Sequence, residues 1–143
     1  MNAGGVDKAC KSCDATANYQ LPTTNTMTFR FRNFKVYQDA IIAYKFIILI
    51  TKNFPRDFEH LKAQIRRAAL SVILNIAEGS AKNSDKDFNR YLGNSLGSVN
   101  EVAACLEVAF QLNLISKEDY IKGNSMYELL ANQLGGFSKK LKS

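Results

Sequence analysis

The sequence lacks the residues and motifs on which most enzymes depend. Among its 143 residues there is one histidine, His60, and the G-x-x-x-x-G-K-[ST] pattern of a phosphate-binding loop does not occur. The Glu-x-x-His motif with which some four-helix bundles hold two metal ions is also absent, and the carboxylates are scattered along the chain. We therefore predict a protein without catalytic residues, cofactor or bound metal.

The sequence also has no hydrophobic run long enough to cross a membrane. Its most apolar window, 40–50, contains Lys45 and is well short of the roughly 20 apolar residues that a spanning helix needs. Segment 1–26 has no apolar core of the length found in signal peptides. The chain has three cysteines, an odd number. Cys10 and Cys13 have the spacing of one cysteine pair of a zinc knuckle, but the sequence contains no second pair. We predict a cytoplasmic protein that needs neither metal nor disulfide to fold.

What is present is the composition of an ordinary globular domain, with 46% hydrophobic and 22% charged residues. Regular apolar spacing begins at Phe29, which predicts a flexible, disordered tail over 1–26 and one folded domain over 27–143. The chain has 19 basic and 13 acidic residues, and its net charge is +6. The tail holds two of each sign, so the excess belongs to the folded domain. Such a charge permits a polyanionic partner without requiring one.

Two helices are predicted in the first half of the domain. The first spans about 33–53, because the residue before Pro55 is disfavoured in a helix. The second spans about 59–78 and is expected to end at Gly79, since glycine is favoured just past a helix C-terminus.

Two further helices are predicted from their starting signals. Ser84 and Ser116 are each followed three positions later by an aspartate, an acidic form of the capping box, and the helices that they open reach about residues 112 and 141. Short connections between helices about 30 to 40 Å long require antiparallel neighbours. The predicted fold class is all-α, an antiparallel up-down-up-down four-helix bundle.

Helices 1 and 2 each carry two apolar stripes, whereas a helix in an isolated bundle needs one. On helix 1 we assign the stripe that begins at Phe34 and Tyr37 to the core. The other stripe is assigned to a subunit interface, together with two leucines of helix 2; this interface set is Val36, Ala40, Ala43, Ile47, Ile50, Leu70 and Leu74. An uncovered apolar face is rare on monomers, so we predict self-association. The alternative is that neighbouring helices of the same chain cover both faces.

Helix 3 has glycines at positions 93 and 97, on the side opposite its core stripe. A glycine inside a helix costs about 1 kcal/mol relative to alanine, so two on one face indicate that another backbone comes close. That backbone could belong to the same chain or to a second subunit.

A polar stripe runs along helix 2 beside its core stripe. Glu78 lies at a helix C-terminus, where the helix dipole disfavours an anion, so it should have a basic partner. We predict a structural network of Arg67, Asn75, Glu78 and Glu101, in which Arg67 or another basic group pairs with Glu78 or Glu101. The alternative is a site used by a partner molecule.

Basic residues cluster near the start of helix 2, around the loop into helix 3, and at the C-terminus, where Lys139, Lys140 and Lys142 lie. As a nucleic-acid-binding hypothesis we single out Lys62, Arg66, Arg67, Lys82, Lys86 and Arg90. The alternative is that these are ordinary solvated side chains.

Five short motifs, in order and at regular intervals, resemble a known family. They are FRFRNFKVY at 29–37, TKNFP at 51–55, QIRRAA at 64–69, NIAEGS at 75–80 and LGSVNE at 96–101. Together they are similar to the four-helix-bundle proteins encoded by intervening sequences in bacterial 23S rRNA genes, also known as the S23 ribosomal protein family. The segment before Met27 has no counterpart in this resemblance, which raises Met27 as an alternative natural start.

The resemblance implies a bundle that assembles into a ring, typically a pentamer, with no known catalysis. It also implies a relationship to the accessory proteins of diversity-generating retroelements, in which a basic ring binds nucleic acid and a reverse transcriptase. We therefore expect a non-catalytic oligomer that binds RNA or DNA through basic surface. The alternative is an interaction scaffold or accessory subunit that docks a partner enzyme such as a reverse transcriptase.

Overall fold

The computed structural model describes residues 19–21 and 29–143, and it contains four α-helices. Their bounds are Lys35–Thr51 (α1), Glu59–Ser80 (α2), Asp85–Gln111 (α3) and Lys117–Lys142 (α4). Short 3-10 turns, Arg30–Asn33 and Arg56–Phe58, precede α1 and α2, and the described part of the chain contains no strand. The predicted all-α fold with four helices is confirmed. The prediction of a disordered tail over 1–26 falls outside the described residues, apart from positions 19–21.

Contacts between the helices show that each packs antiparallel to its neighbours. Along α2 and α3, the Ser95 hydroxyl donates to the carbonyl oxygen of Val72 at 2.9 Å, and Gln64 bonds to Glu101, so the paired positions run in opposite directions. Helix α1 packs on α2 and α4, and α3 packs on α2 and α4, which makes a four-sided bundle. One end of the bundle therefore holds the start of α1, the connection 81–84 and the end of α4.

The helix ends follow local chemistry. The hydroxyls of Ser84 and Ser116 accept hydrogen bonds from the backbone N–H groups of Asp87 and Asp119, both at 3.1 Å, which confirms the two predicted caps. Helix α3 ends in a Schellman motif: Asn113 adopts a left-handed φ of 57°, and the Leu114 N–H bonds to a carbonyl five residues back at 2.9 Å.

Gly79 does not terminate α2, which continues to Ser80. Its φ is not positive, and a Cβ at this position would lie 2.7 Å from the Tyr91 Cβ and 2.8 Å from Phe88 Cδ2. This glycine is therefore needed for close packing of α2 on α3, not for a C-terminal turn.

Gly93 and Gly97 show the opposite situation. No atom of the described chain lies within 4 Å of a Cβ built at either position, apart from the helix itself. Of the two alternatives that the sequence left open, a close helix of the same chain does not occur among the described residues, and a second subunit is the other.

The core lies along the bundle axis. On α1 it contains the stripe that the sequence analysis assigned to a subunit interface, so that assignment is wrong. Val36, Ala40, Ala43 and Ile47, which the sequence placed at a subunit interface, are at most 3% exposed and lie inside the bundle, and Ile50 is half-buried. The stripe that begins at Phe34 and Tyr37, assigned to the core, is only half-buried. The small side chains of the alanines let α1 approach its neighbours closely, whereas the bulkier aromatic stripe flanks the contact.

On α2 the assignment of faces agrees better with the structure. Leu61, Ile65, Val72 and Ile76 are buried as predicted, and the two leucines of the interface set, Leu70 and Leu74, are 39% and 54% exposed. None of the described helices is long and apolar enough to cross a lipid bilayer.

Candidate nucleic-acid interface

Positive charge is concentrated at one end of the bundle. Antiparallel packing brings together the segment before α1, the connection 81–84, the start of α3 and the end of α4. Nine basic residues lie there, against the four carboxylates of Asp39, Glu78, Asp85 and Asp87. We call this set the basic end; it comprises Arg30, Arg32, Lys35, Lys82, Lys86, Arg90, Lys139, Lys140 and Lys142. At the opposite half of the bundle, eight basic residues are nearly balanced by seven acidic ones.

The six residues predicted to bind nucleic acid do not form one surface. Lys82, Lys86 and Arg90 belong to the basic end, whereas Lys62, Arg66 and Arg67 lie near the start of α2. Arg66 and Lys82 are about 24 Å apart along the bundle axis, at 1.5 Å rise per residue. Lys82, Lys86 and Arg90 therefore lie at the same end of the bundle as the three C-terminal lysines of α4, whereas Lys62, Arg66 and Arg67 do not.

Arg66 is a structural residue. Its Nε donates to the Thr51 hydroxyl at 2.9 Å and its Nη2 to the carbonyl oxygen of Ile48 at 3.2 Å, so the guanidinium ties α2 to the last turn of α1. Carbonyls at a helix C-terminus lack partners within the helix, and a cation there also compensates the helix dipole. Neighbouring Lys62 approaches Glu59 at 3.5 Å.

The predicted pairing within the polar network is wrong. Within the described chain, Arg67 forms no ion pair with Glu78 or Glu101; Gln64 donates to Glu101, and the Tyr91 hydroxyl donates to Glu78 at 3.3 Å. Asn75 turns back onto its own helix and donates to the carbonyl oxygen and hydroxyl of Ser71, at 2.9 and 3.0 Å. In the described chain the side-chain partners of both carboxylates are thus neutral donors, and Arg67 is exposed to solvent.

A groove of about 720 Å³ runs between α3 and α4 at the basic end. Its rims carry four cations, Lys86 and Arg90 on α3 and Lys139 and Lys142 on α4, and Asp87 is the one carboxylate among its lining residues. We call it the α3/α4 groove.

The floor of the α3/α4 groove is apolar. Its open surface comes from half-buried Leu96 and from Gly93 and Gly135, and a Cβ added at either glycine would meet no atom within 4 Å; Leu92 and Leu134 beneath them are 1% exposed and belong to the core. The Ser138 hydroxyl donates to Asn89 Oδ1 at 2.5 Å and joins the two helices at this level. The groove is therefore an open cleft between two helices that are joined by a hydrogen bond, with basic side chains along both edges.

Tyr91 lies beside the groove, and two cations lie close to its ring. The Lys82 Nζ is 5.0 Å and the Arg90 guanidinium carbon 4.8 Å from its ring centroid, distances at which a cation is attracted by an aromatic ring. Arg90 Nε is also 4.0 Å from Asp87 Oδ1, one turn earlier. These contacts hold two of the predicted phosphate-binding side chains close to the helix surface.

A second cationic element was not singled out from the sequence. Arg30, before α1, donates from Nε to the carbonyl oxygen of Ser80 at 2.9 Å, and its guanidinium carbon is 5.4 Å from the Phe88 ring centroid. It closes the C-terminus of α2 and places a fixed charge beside the 81–84 connection. The FRFRNF motif contains this residue, but its position became evident only from the packing of α1 against α2.

Two observations concern the cysteine and the acidic side chains of the described residues. Burial, and secondarily the charge of Glu101, raise the pKa of the Cys105 thiol, which disfavours the reactive thiolate. In residues 19–21 and 29–143, no three His, Cys, Asp or Glu side chains come together as they would around a metal ion. Cys10 and Cys13 lie outside the described residues.

Comparison with known proteins agrees with the resemblance seen in the sequence. The family model described as 23S rRNA-intervening sequence protein matches residues 32–136. Among solved structures, the chain is similar to a protein of unknown function from the S23 ribosomal protein family of Bacteroides thetaiotaomicron, with 25% sequence identity and a TM-score of 0.58. The similarity covers 77% of this chain and 95% of that protein. A search among curated proteins gave no match.

Proposed function

The chain belongs to the 23S rRNA-intervening sequence protein family, and we propose that it is a non-catalytic homo-oligomer that binds RNA or DNA through its basic end. The observation that carries this proposal is the polarised charge: nine basic residues at one end of the bundle, against four carboxylates. Within the described chain, three of the four groove-rim cations form no ion pair, so their charge is free to attract phosphates.

Assembly would multiply this charge. Five copies of a +6 chain carry about +30, and each copy would present the same basic end. The exposed pair Leu70 and Leu74, one turn apart on α2, supports self-association, because exposed leucines that lie together are stabilised when a second surface covers them. A pentamer is our preferred form.

The proposal is tested by fluorescence anisotropy with structured RNAs and duplex DNAs at 50 and 200 mM salt. The affinity should fall with salt at a log–log slope of about −0.7 to −0.9 for each phosphate neutralised. Little discrimination between sequences is expected, because phosphate contacts carry no sequence information.

Two double variants localise the interface. Lys86→Gln with Lys139→Gln removes two charges from the basic end, and Lys52→Gln with Lys117→Gln removes two from the opposite end; all four lysines are exposed. The first pair should weaken binding and reduce the steepness of the salt dependence by about 0.7 to 0.9 for each phosphate no longer neutralised, and the second should change neither. Equal effects of the two pairs, or no binding at 50 mM salt, would refute the proposal.

The second candidate is an interaction scaffold that docks a partner enzyme such as a reverse transcriptase. The exposed Leu70 and Leu74 favour it if they are not covered by another copy of the chain. Light scattering separates the two: a monomer that binds no nucleic acid at 50 mM salt favours the scaffold, whereas an oligomer with steep salt dependence favours the nucleic-acid binder.

A further inference from the structure

We infer that the α3/α4 groove holds a single nucleic-acid strand, with phosphates at its basic rims and bases against its apolar floor. This inference rests on the proposed function and makes it more specific, because a generally basic surface would accept single strands and duplexes alike. It depends on the shape and lining of the groove, which net charge does not describe.

The rims supply the first part of the argument. Lys86 and Arg90 are one turn apart on α3, and Lys139 and Lys142 are one turn apart on α4, so cations flank the trough on both sides. Helix rise gives the lined stretch of α3, from position 86 to 96, a length of about 15 Å. A strand lying along the trough therefore has cations within reach of successive phosphates.

The floor supplies the second part. Lysines and arginines alone would bind phosphates on a flat polar surface, but here half-buried Leu96 and the open surface of Gly93 and Gly135 lie between the two basic rims. An apolar floor gains free energy when it is covered by the apolar faces of bases, and only an unpaired strand can turn those faces towards the protein.

Dimensions exclude the duplex from the floor. Packed helices have axes about 8–10 Å apart, and a double helix is broader than the trough between them. A duplex could touch the rim cations, but its bases are stacked and paired and do not reach Leu96. The groove should therefore prefer single strands over duplexes of equal charge.

The two groove glycines allow the floor to be filled without changing any charge. A Cβ at Gly93 or Gly135 meets no atom within 4 Å, so leucine at either position fits the fold and projects into the trough. Gly97 is the matched control, because it is equally open and does not line the groove. Replacement of a helical glycine by leucine also favours the helix, so none of these variants should unfold the bundle.

The experiment measures three ligands at 50 mM salt: an unstructured single-stranded RNA, a duplex of the same sequence, and inorganic polyphosphate as a probe of charge alone. Gly93→Leu and Gly135→Leu should each weaken single-strand binding at least tenfold and change duplex and polyphosphate binding less than twofold. Gly97→Leu should leave the affinities for all three ligands within twofold. Light scattering should give the same mass for every variant, because the inference places a strand, and not a second subunit, against Gly93.

Three results would overturn the inference. If the Gly93→Leu and Gly135→Leu proteins bind the single strand within twofold of the unaltered protein, the strand does not lie in the groove. If they lose affinity for duplex and polyphosphate to the same extent as for the single strand, the groove does not distinguish a single strand from any other polyanion. A changed mass in the groove variants alone would place the groove in a subunit contact. If the unaltered protein binds none of the three ligands, the proposed function is refuted together with the inference. The three results above refute the inference alone, because in each of them the unaltered protein still binds nucleic acid.

Discussion

The guanidinium of Arg66 and the hydroxyl of Thr51 form a hydrogen bond of 2.9 Å that joins α2 to the C-terminus of α1. Thr51 is itself fully buried and donates to the carbonyl oxygen of Ile47 at 2.7 Å, so the contact links the guanidinium to the backbone of the last turn. A residue that looked like part of a phosphate-binding cluster thus fastens two helices, while Arg67 beside it is exposed to solvent.

We predict that Arg66→Ala lowers the free energy of unfolding by about 1.5–3 kcal/mol, because hydrogen bonds from a charged donor to buried acceptors are removed. Arg66→Lys should recover only part of this stability, since an ammonium group cannot reproduce the forked geometry. Arg67→Ala is the control and should stay within about 0.5 kcal/mol of the unaltered protein. Urea unfolding measures all three, and equal stabilities for the Arg66→Ala and Arg67→Ala proteins would contradict the structure.

Gly79→Ala should lower stability by about 1–3 kcal/mol, because the added methyl group would lie within 3 Å of Tyr91 and Phe88 and force α2 away from α3. Gly93→Ala should instead raise stability by up to about 1 kcal/mol, since its Cβ meets open space and alanine favours the helix. Thermal unfolding of the two proteins distinguishes these effects. A stabilised Gly79→Ala protein would mean that the close approach of α2 and α3 does not exist.

Tyr127→Phe should stabilise the protein by about 1–3 kcal/mol, because the Tyr127 hydroxyl is buried and has no hydrogen-bond partner in the described chain. Burial, aided by the neighbouring Tyr44, raises the pKa of Tyr127 well above its usual 10.0. Above pH 10 the unfolded chain loses this proton and the folded chain keeps it, so the stability of the unaltered protein falls by about 1.4 kcal/mol per pH unit relative to Tyr127→Phe. Urea unfolding between pH 8 and 11 checks this, and a difference that does not change with pH would count against it.

Light scattering of the purified chain should give a mass several times 16 kDa, with a pentamer preferred. Leu74→Asp should reduce the mass and leave the helical circular dichroism unchanged, because the side chain is 54% exposed in the single subunit. Ile47→Asp should unfold the bundle instead, since Ile47 is completely buried in the core. A clean monomer at micromolar concentration would refute the assembly.

Local signals predicted the fold well. The serine caps before α3 and α4 and the core stripe of α2 depend on chemistry within a few residues, and each appears in the structure at its predicted position. The prediction of which face of α1 is buried was wrong, because both stripes of this helix are apolar. Which of them lies in the core depends on the contacts of α1 with α2 and α4. Gly79 was misassigned for a similar reason: glycine serves a helix terminus and a close helix contact equally well, and only the positions of Phe88 and Tyr91 decide between them.

The candidate site could be predicted only in part, because it is assembled from distant segments. Lys82, Lys86 and Arg90 were recognisable as a local cluster, and so were the C-terminal lysines. That Lys139 and Lys142 face Lys86 and Arg90 across one groove follows from the packing of α4 against α3. No feature of the sequence shows that the Arg66 side chain bonds to α1 while the side chain of the adjacent Arg67 is exposed to solvent.

The polarised distribution of charge gives the bundle an electric dipole moment along its long axis. Antiparallel helices cancel one another's backbone dipoles, so this moment comes from side chains and is not offset by the fold. A molecule with such a moment turns in the field of a polyanion before contact and arrives with its positive pole leading. On the proposed function, the bundle should therefore approach a nucleic acid with its basic end leading, which brings the α3/α4 groove into reach first and keeps the connection between α3 and α4 on the far side.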